Sequence, residues 1–75
     1  MNKQMQDALN KQVARELSAS YAYLAMSLYL DGRNFPGAAR WMELQSEEER
    51  AHARMLIEYV TDRNCEVILE TIPQP

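Results

Sequence analysis

"SEEERAHARML", residues 46–56, decides how the rest of the chain is read. Three glutamates in a row on a helix ordinarily mark a solvated face. At about 100° per residue, however, Glu49 falls in line with the apolar Met42 and Leu56. His52, the only histidine in the chain, lies one turn along. Glu47 and Glu48 point progressively away from that line, so a solvated acidic face accounts for them, with Glu47 placed to pair with Arg50. Glu49 has no such account.

Working outward, Phe35, Ala38, Met42, Gln45, Glu49, His52, Leu56, Tyr59 and Val60 recur at helical steps and predict a helix over about 35–63. Upstream, "DGRNFPG" (31–37) breaks the pattern. Gly32 suits a helix C-terminus, Asn34 a following N-cap, and Pro36 a first helical turn, which places the turn at 32–34. Before it, the chain from Asn2 to about Asp31 holds neither Gly nor Pro and is rich in helix formers. Leu9, Val13, Leu17, Ser20, Leu24 and Leu28 form its stripe and predict a helix over about 3–31. After Asn64, "CEVILETIPQP" turns β-branched and then proline-rich, an extended tail over 64–75.

The expected fold is therefore all-α: one domain over residues 1–75, a two-helix antiparallel hairpin with helices about 42 Å long at 1.5 Å per residue. Two helices cover each other along one seam, yet both stripes are wider than a seam and include Tyr23, Trp41 and Tyr59. An apolar face left open marks an association surface. A two-fold homodimer, or a higher multiple of it, closes the face into a four-helix bundle.

Length and composition point the same way. A chain of 75 residues rarely builds a core worth more than about 3–5 kcal/mol without a disulfide, a metal or a partner chain. Cys65 is the single cysteine, which excludes an internal disulfide and reads as a tail thiol. Net charge is −3, and the basic residues are scattered and spaced to pair with acids, as in Asp7 with Lys11 and Arg54 with Glu58. No basic stripe invites nucleic acid. The N-terminus is too polar for a signal peptide, and no apolar run approaches the ~18 residues of a membrane span. A cytoplasmic protein is expected.

The first helix carries one matching anomaly. Glu16 lies on the stripe between Val13 and Ser20, with Tyr23 two turns along the same face. A buried carboxylate without a partner is costly. Glu-x-x-His presents a carboxylate oxygen and an imidazole nitrogen on one helical face. In a bundle, one Glu from each of two helices and Glu-x-x-His from each of the other two build a di-iron or di-manganese centre. This hairpin supplies half of that set: Glu16, then Glu49 and His52. The two-fold that closes the core also completes the site.

"LNKQVARELSASYAYLAMSLYL" and "QSEEERAHARMLIEYV" closely resemble the first and second helices of the non-haem ferritins, and "CEVILETIPQP" resembles the start of their long crossover. The resemblance implies Fe(II) and O2 as substrates, oxidised and reduced at a di-iron ferroxidase centre that serves iron storage or detoxification. It makes Glu16 the first-helix ligand, Glu49 the bridging ligand and His52 the imidazole ligand. Tyr23 matches a tyrosine beside the centre, and Glu48 a neighbouring glutamate that takes metal in transit. Haem-binding relatives place Met directly after the bridging glutamate; Arg50 stands there, so no haem is expected. The third and fourth ferritin helices have no counterpart here, which fits either part of a longer ferritin or a half-ferritin working as a dimer. Tyr23 has a plainer reading as a bundle tyrosine with a satisfied hydroxyl, and Glu48 as plain surface. Two other functions stay open: a divalent-metal-binding protein without turnover, holding Zn or Mn as readily as Fe, and a structural hairpin without a working site.

Overall fold

Asn2 opens the first helix: its side-chain oxygen accepts the backbone N–H of Met5 at 2.8 Å, satisfying one of the donors that a helix start leaves free. In the computed structural model, which describes residues 1–75, α1 runs Lys3–Gly32 and α2 runs Pro36–Asp62. Together they form an antiparallel hairpin, the expected all-α architecture, with extents of 48 × 20 × 12 Å. Neither helix is long and apolar enough to cross a membrane.

The turn is built differently from its sequence reading. Gly32 is the last residue of α1, and no glycine has positive φ. The left-handed residue is Asn34, at φ 68°. Asn34 N–H bonds Asp31 O and Phe35 N–H bonds Leu30 O, the two hydrogen bonds of a Schellman cap. Asn34 thus closes α1 instead of capping α2, whose N-cap is Phe35 with no side-chain hydrogen bond. The turn accordingly occupies 33–35, one residue later than 32–34. The end of α2 repeats the device: Asn64 sits at φ 56°, Asn64 N–H bonds Thr61 O and Cys65 N–H bonds Val60 O. In both caps an arginine folds back over a tyrosine one turn earlier, Arg33 over Tyr29 and Arg63 over Tyr59, a cation–π contact.

The seam between the helices is also shifted from the apolar stripes. The buried residues of α2 are Ala39, Ser46, Ala53 and Val60, a strict seven-residue repeat. Val13 and Ser27 of α1 are buried on the same period, with half-buried Ser20 between them. These side chains are small, so the backbones come close enough for hydroxyls to reach across. Ser20 Oγ donates to Ser46 O at 2.8 Å, Ser46 Oγ donates to Ser20 O at 2.7 Å, and Ser27 Oγ donates to Ala39 O at 2.7 Å. Leu24 and Leu28, expected on the stripe, are exposed, Leu28 at 65%. Phe35 and Trp41 are more than half exposed as well.

Two flanking details differ. Asp7 pairs with Lys3 at 3.1 Å instead of with Lys11, because Lys11 faces the groove under the tail, beside Glu70. Arg54 pairs with Glu58 as spaced, while Glu47 and Arg50 stay apart.

The tail from Cys65 to Pro75 has no regular secondary structure and lies along α1. Asn10, buried at 5% exposure, fastens it at both ends of its amide: Nδ2 donates to Glu66 O and Oδ1 accepts Ile68 N–H, each at 3.1 Å. Gln6 adds a second hydrogen bond to Glu66 O.

Only seven residues are buried, and the largest of them are two valines. A compact monomer of 8.7 kDa exposes about 4,700 Å²; this hairpin exposes 5537 Å². Its radius of gyration is 14.6 Å, against about 11 Å for a globular chain of this length. The hairpin holds a seam, and most of its large apolar side chains remain at its surface.

Candidate metal centre

Glu16 projects from near the middle of α1 and Glu49 from the midpoint of α2. The serine clasp of Ser20 and Ser46 lies one turn away from each, so the closest approach of the backbones sits beside the two carboxylates. His52 follows Glu49 by one turn on the same face. The structure thus brings Glu16, Glu49 and His52 together, each offering a ligand atom within 4.8 Å of the others'.

His52 Nδ1 stands 3.7 Å from Glu16 Oε2 and 3.7 Å from Glu49 Oε2. These separations are too long for hydrogen bonds. They lie inside the about 4.4 Å that two nitrogen or oxygen ligands of one first-row ion can span, at about 2.0–2.2 Å each. The carboxylates are mostly covered, at 18% and 23% side-chain exposure, and His52 is half open at 45%. Neither glutamate pairs with a Lys or Arg. The donors fit an ion that favours mixed imidazole and carboxylate ligands, with no cation of the chain already in its place.

Without such an ion the two carboxyl groups must accommodate each other. The hydrogen bond between them holds Glu16 below the ordinary carboxylate range and pushes Glu49 above it. Burial raises both, and the imidazole of His52 draws both down more weakly. Of the two, Glu49 is the carboxyl group that gives up its proton later as pH rises.

Two further residues singled out by the sequence lie at the margin. Glu48 faces the other side of the imidazole, 3.9 Å from His52 Nε2, and its side chain is 59% exposed. Tyr23 is half-buried. One neighbour was not anticipated. Gln12 Nε2 donates to Glu16 Oε1 at 3.1 Å, and Arg15 Nη1 donates to Gln12 Oε1 at 3.1 Å. Its signal, a polar residue one turn before a stripe carboxylate, is common to many helices and carries little information on its own.

Comparison with known proteins identifies the family of the hairpin. Residues 6–75 match the model of the ferritin-like domain. The chain is 36% identical over its full 75 residues to a bacterial non-heme ferritin of Staphylococcus saprophyticus, of which it covers 45%. It is 39% identical over 69 residues to the soma ferritin of Lymnaea stagnalis, covering 89% of this chain and 40% of that one. The open-pore ferritin of Archaeoglobus fulgidus superposes on the whole hairpin with a TM-score of 0.96 at 33% identity, with 46% of its own chain covered. The chain thus spans less than half the length of the relatives it matches.

Proposed function

Because this chain belongs to the ferritin family, we propose that it binds Fe(II) through Glu16, Glu49 and His52 and oxidises it with O2 at a centre shared between two hairpins. The observation that carries this reading is the meeting of two carboxylates and an imidazole, free of any basic partner, on the open face of a hairpin.

The position of the three residues supports the shared centre. A two-fold axis lying between two stacked hairpins, perpendicular to their helices and passing near Glu49 at mid-length of α2, lays a second copy antiparallel over the full length of the first. It brings the two sets of ligands face to face. A centre placed toward either end would be carried away from its mate by the same operation. The excess exposed area, roughly 800 Å² over a compact monomer of this mass, matches what one partner contributes to a standard interface.

In this reading Glu16, Glu49 and His52 of both hairpins would together hold the two irons. Two Fe(II) held there would together supply the two electrons, one from each, that reduce one O2 to hydrogen peroxide with two protons taken from water. The side chains supply charge. Four carboxylates offset the charge of the bound irons and favour the more highly charged ferric products. Carboxylate and imidazole ligands hold metal only when deprotonated, so metal competes with protons for Glu49 and its neighbours and binding strengthens as pH rises. His52, open on its Nε2 side, and Glu48 beyond it form the approach by which iron reaches the centre. Tyr23, two turns from Glu16, could hydrogen-bond a ligand carboxylate or donate an electron. The setting is cytoplasmic and no haem takes part.

Anaerobic titration with Fe(II), followed by native mass spectrometry and then by O2 uptake, tests the proposal. Two irons per pair of chains and rapid O2 consumption are expected, both lost in Glu49→Ala. Iron uptake without O2 consumption would make this a divalent-metal-binding protein, and a chain that takes up no iron would make it a structural hairpin.

A further inference from the structure

We infer that Gln12, held in place by Arg15, is a positioning residue that makes Glu16 a one-oxygen ligand; this rests on the reading of Glu16, Glu49 and His52 as a metal centre. The three residues form a chain on one flank of α1. Arg15 Nη1 donates to Gln12 Oε1, and Gln12 Nε2 donates to Glu16 Oε1, each at 3.1 Å. The other oxygen of Glu16, Oε2, is the one that stands 3.7 Å from His52 Nδ1.

The order of the chain fixes the direction of each bond. A guanidinium only donates, whereas a primary amide donates at one end and accepts at the other. Arg15 can therefore engage only the oxygen of Gln12, which turns the nitrogen toward Glu16. The carboxylate, which only accepts, selects the same amide nitrogen, so Arg15 and Glu16 agree on the orientation and Gln12 is held at both ends of its amide. Oε1 of Glu16 thus carries a charge-assisted hydrogen bond, its plane is held, and Oε2 is left for the ion.

An arginine placed directly on Glu16 would also hold the carboxylate, but it would compete with a metal for the same negative charge. Gln12 transmits the orientation and keeps the cationic group of Arg15 one side chain away from the site. Partners of this kind, bonded to a ligand and not to the metal, commonly change affinity by about 10–100-fold.

Anaerobic Co(II) is the probe, because its visible absorption reports coordination number and because it binds without turnover. Gln12→Leu in the full chain should weaken Co(II) binding about ten-fold and alter the visible spectrum as Glu16 swings to bind through both oxygens. Its metal-free helicity and Tm should stay near those of the parent. Arg15→Met, at an exposed position, should give a smaller loss with Gln12 still present. Should Gln12→Leu fail to fold, Arg15→Met alone decides by the same readouts. Parent-like affinity and spectrum in the variants would overturn the role of Gln12 while leaving the metal centre intact. A parent protein that binds no Co(II) would overturn the metal centre, and the role of Gln12 with it.

Discussion

Glu49 and Glu16 shift each other's titration in opposite directions, and each shift has a consequence for stability. Glu49 is pushed above the ordinary carboxylate range by its hydrogen bond to Glu16. The folded chain therefore holds the Glu49 proton more tightly than the unfolded one, and the stability this contributes is lost as pH rises through the raised value. Glu16 is held below the range by the same bond. Its contribution is present above that range and is lost as pH falls through the lowered value. The metal-free protein is expected to be most stable in between, around the ordinary carboxylate range, and to weaken as pH rises above it. Glu49→Gln keeps a hydrogen-bonding side chain and removes the ionisation. Its metal-free Tm at pH 7 should exceed that of the parent and should lose most of the decline that follows as pH rises above the ordinary carboxylate range. A thermal melt series in metal-free buffers checks this. An unchanged decline would place its origin elsewhere in the chain. The convergence of Glu16, Glu49 and His52 was legible in the sequence because two acids on an apolar stripe violate the pattern around them. Gln12 violates nothing, since a glutamine on a helix flank is ordinary; only the direction in which its amide is turned sets it apart.

At the scale of the elements, the two helices end in the same way, with Asn34 and Asn64 left-handed and an arginine folded over the tyrosine before it. Asn tolerates that conformation, while a residue with an ordinary Cβ incurs roughly 1–2 kcal/mol. Asn34→Ala should destabilise the hairpin by about that amount, and Asn34→Gly should cost far less; chemical denaturation of the two variants separates backbone strain from loss of the amide. The misreading of Asn34 as an N-cap has a physical source. Asn serves at either end of a helix, and the choice here depends on whether Phe35 N–H reaches back to Leu30 O, which no composition rule encodes. The shifted seam has a related source. Ser20, Ser27, Ala39, Ser46 and Ala53 contribute little hydrophobic signal, so the stripes recorded the larger side chains around them. Those larger residues lie on the faces the hairpin leaves open.

At the scale of the whole molecule, the antiparallel hairpin was legible from two long helical patterns and one break. Its need for a cover was legible from stripes too wide for a single seam. The way its area is spent was not, because a sequence pattern does not distinguish a side chain buried by its own hairpin from one buried by another. The position of Glu49 at the midpoint of α2 carries a genetic consequence. If every centre draws half its ligands from each of two identical chains, one defective copy disables its partner as well. Refolding parent and Glu49→Ala chains together in equal amounts should leave about a quarter of the O2 uptake, the share of pairs in which both copies are intact under random pairing. Half would remain if each hairpin worked alone. A gene for such a chain would be exposed to dominant interference, with one faulty allele silencing more protein than it encodes.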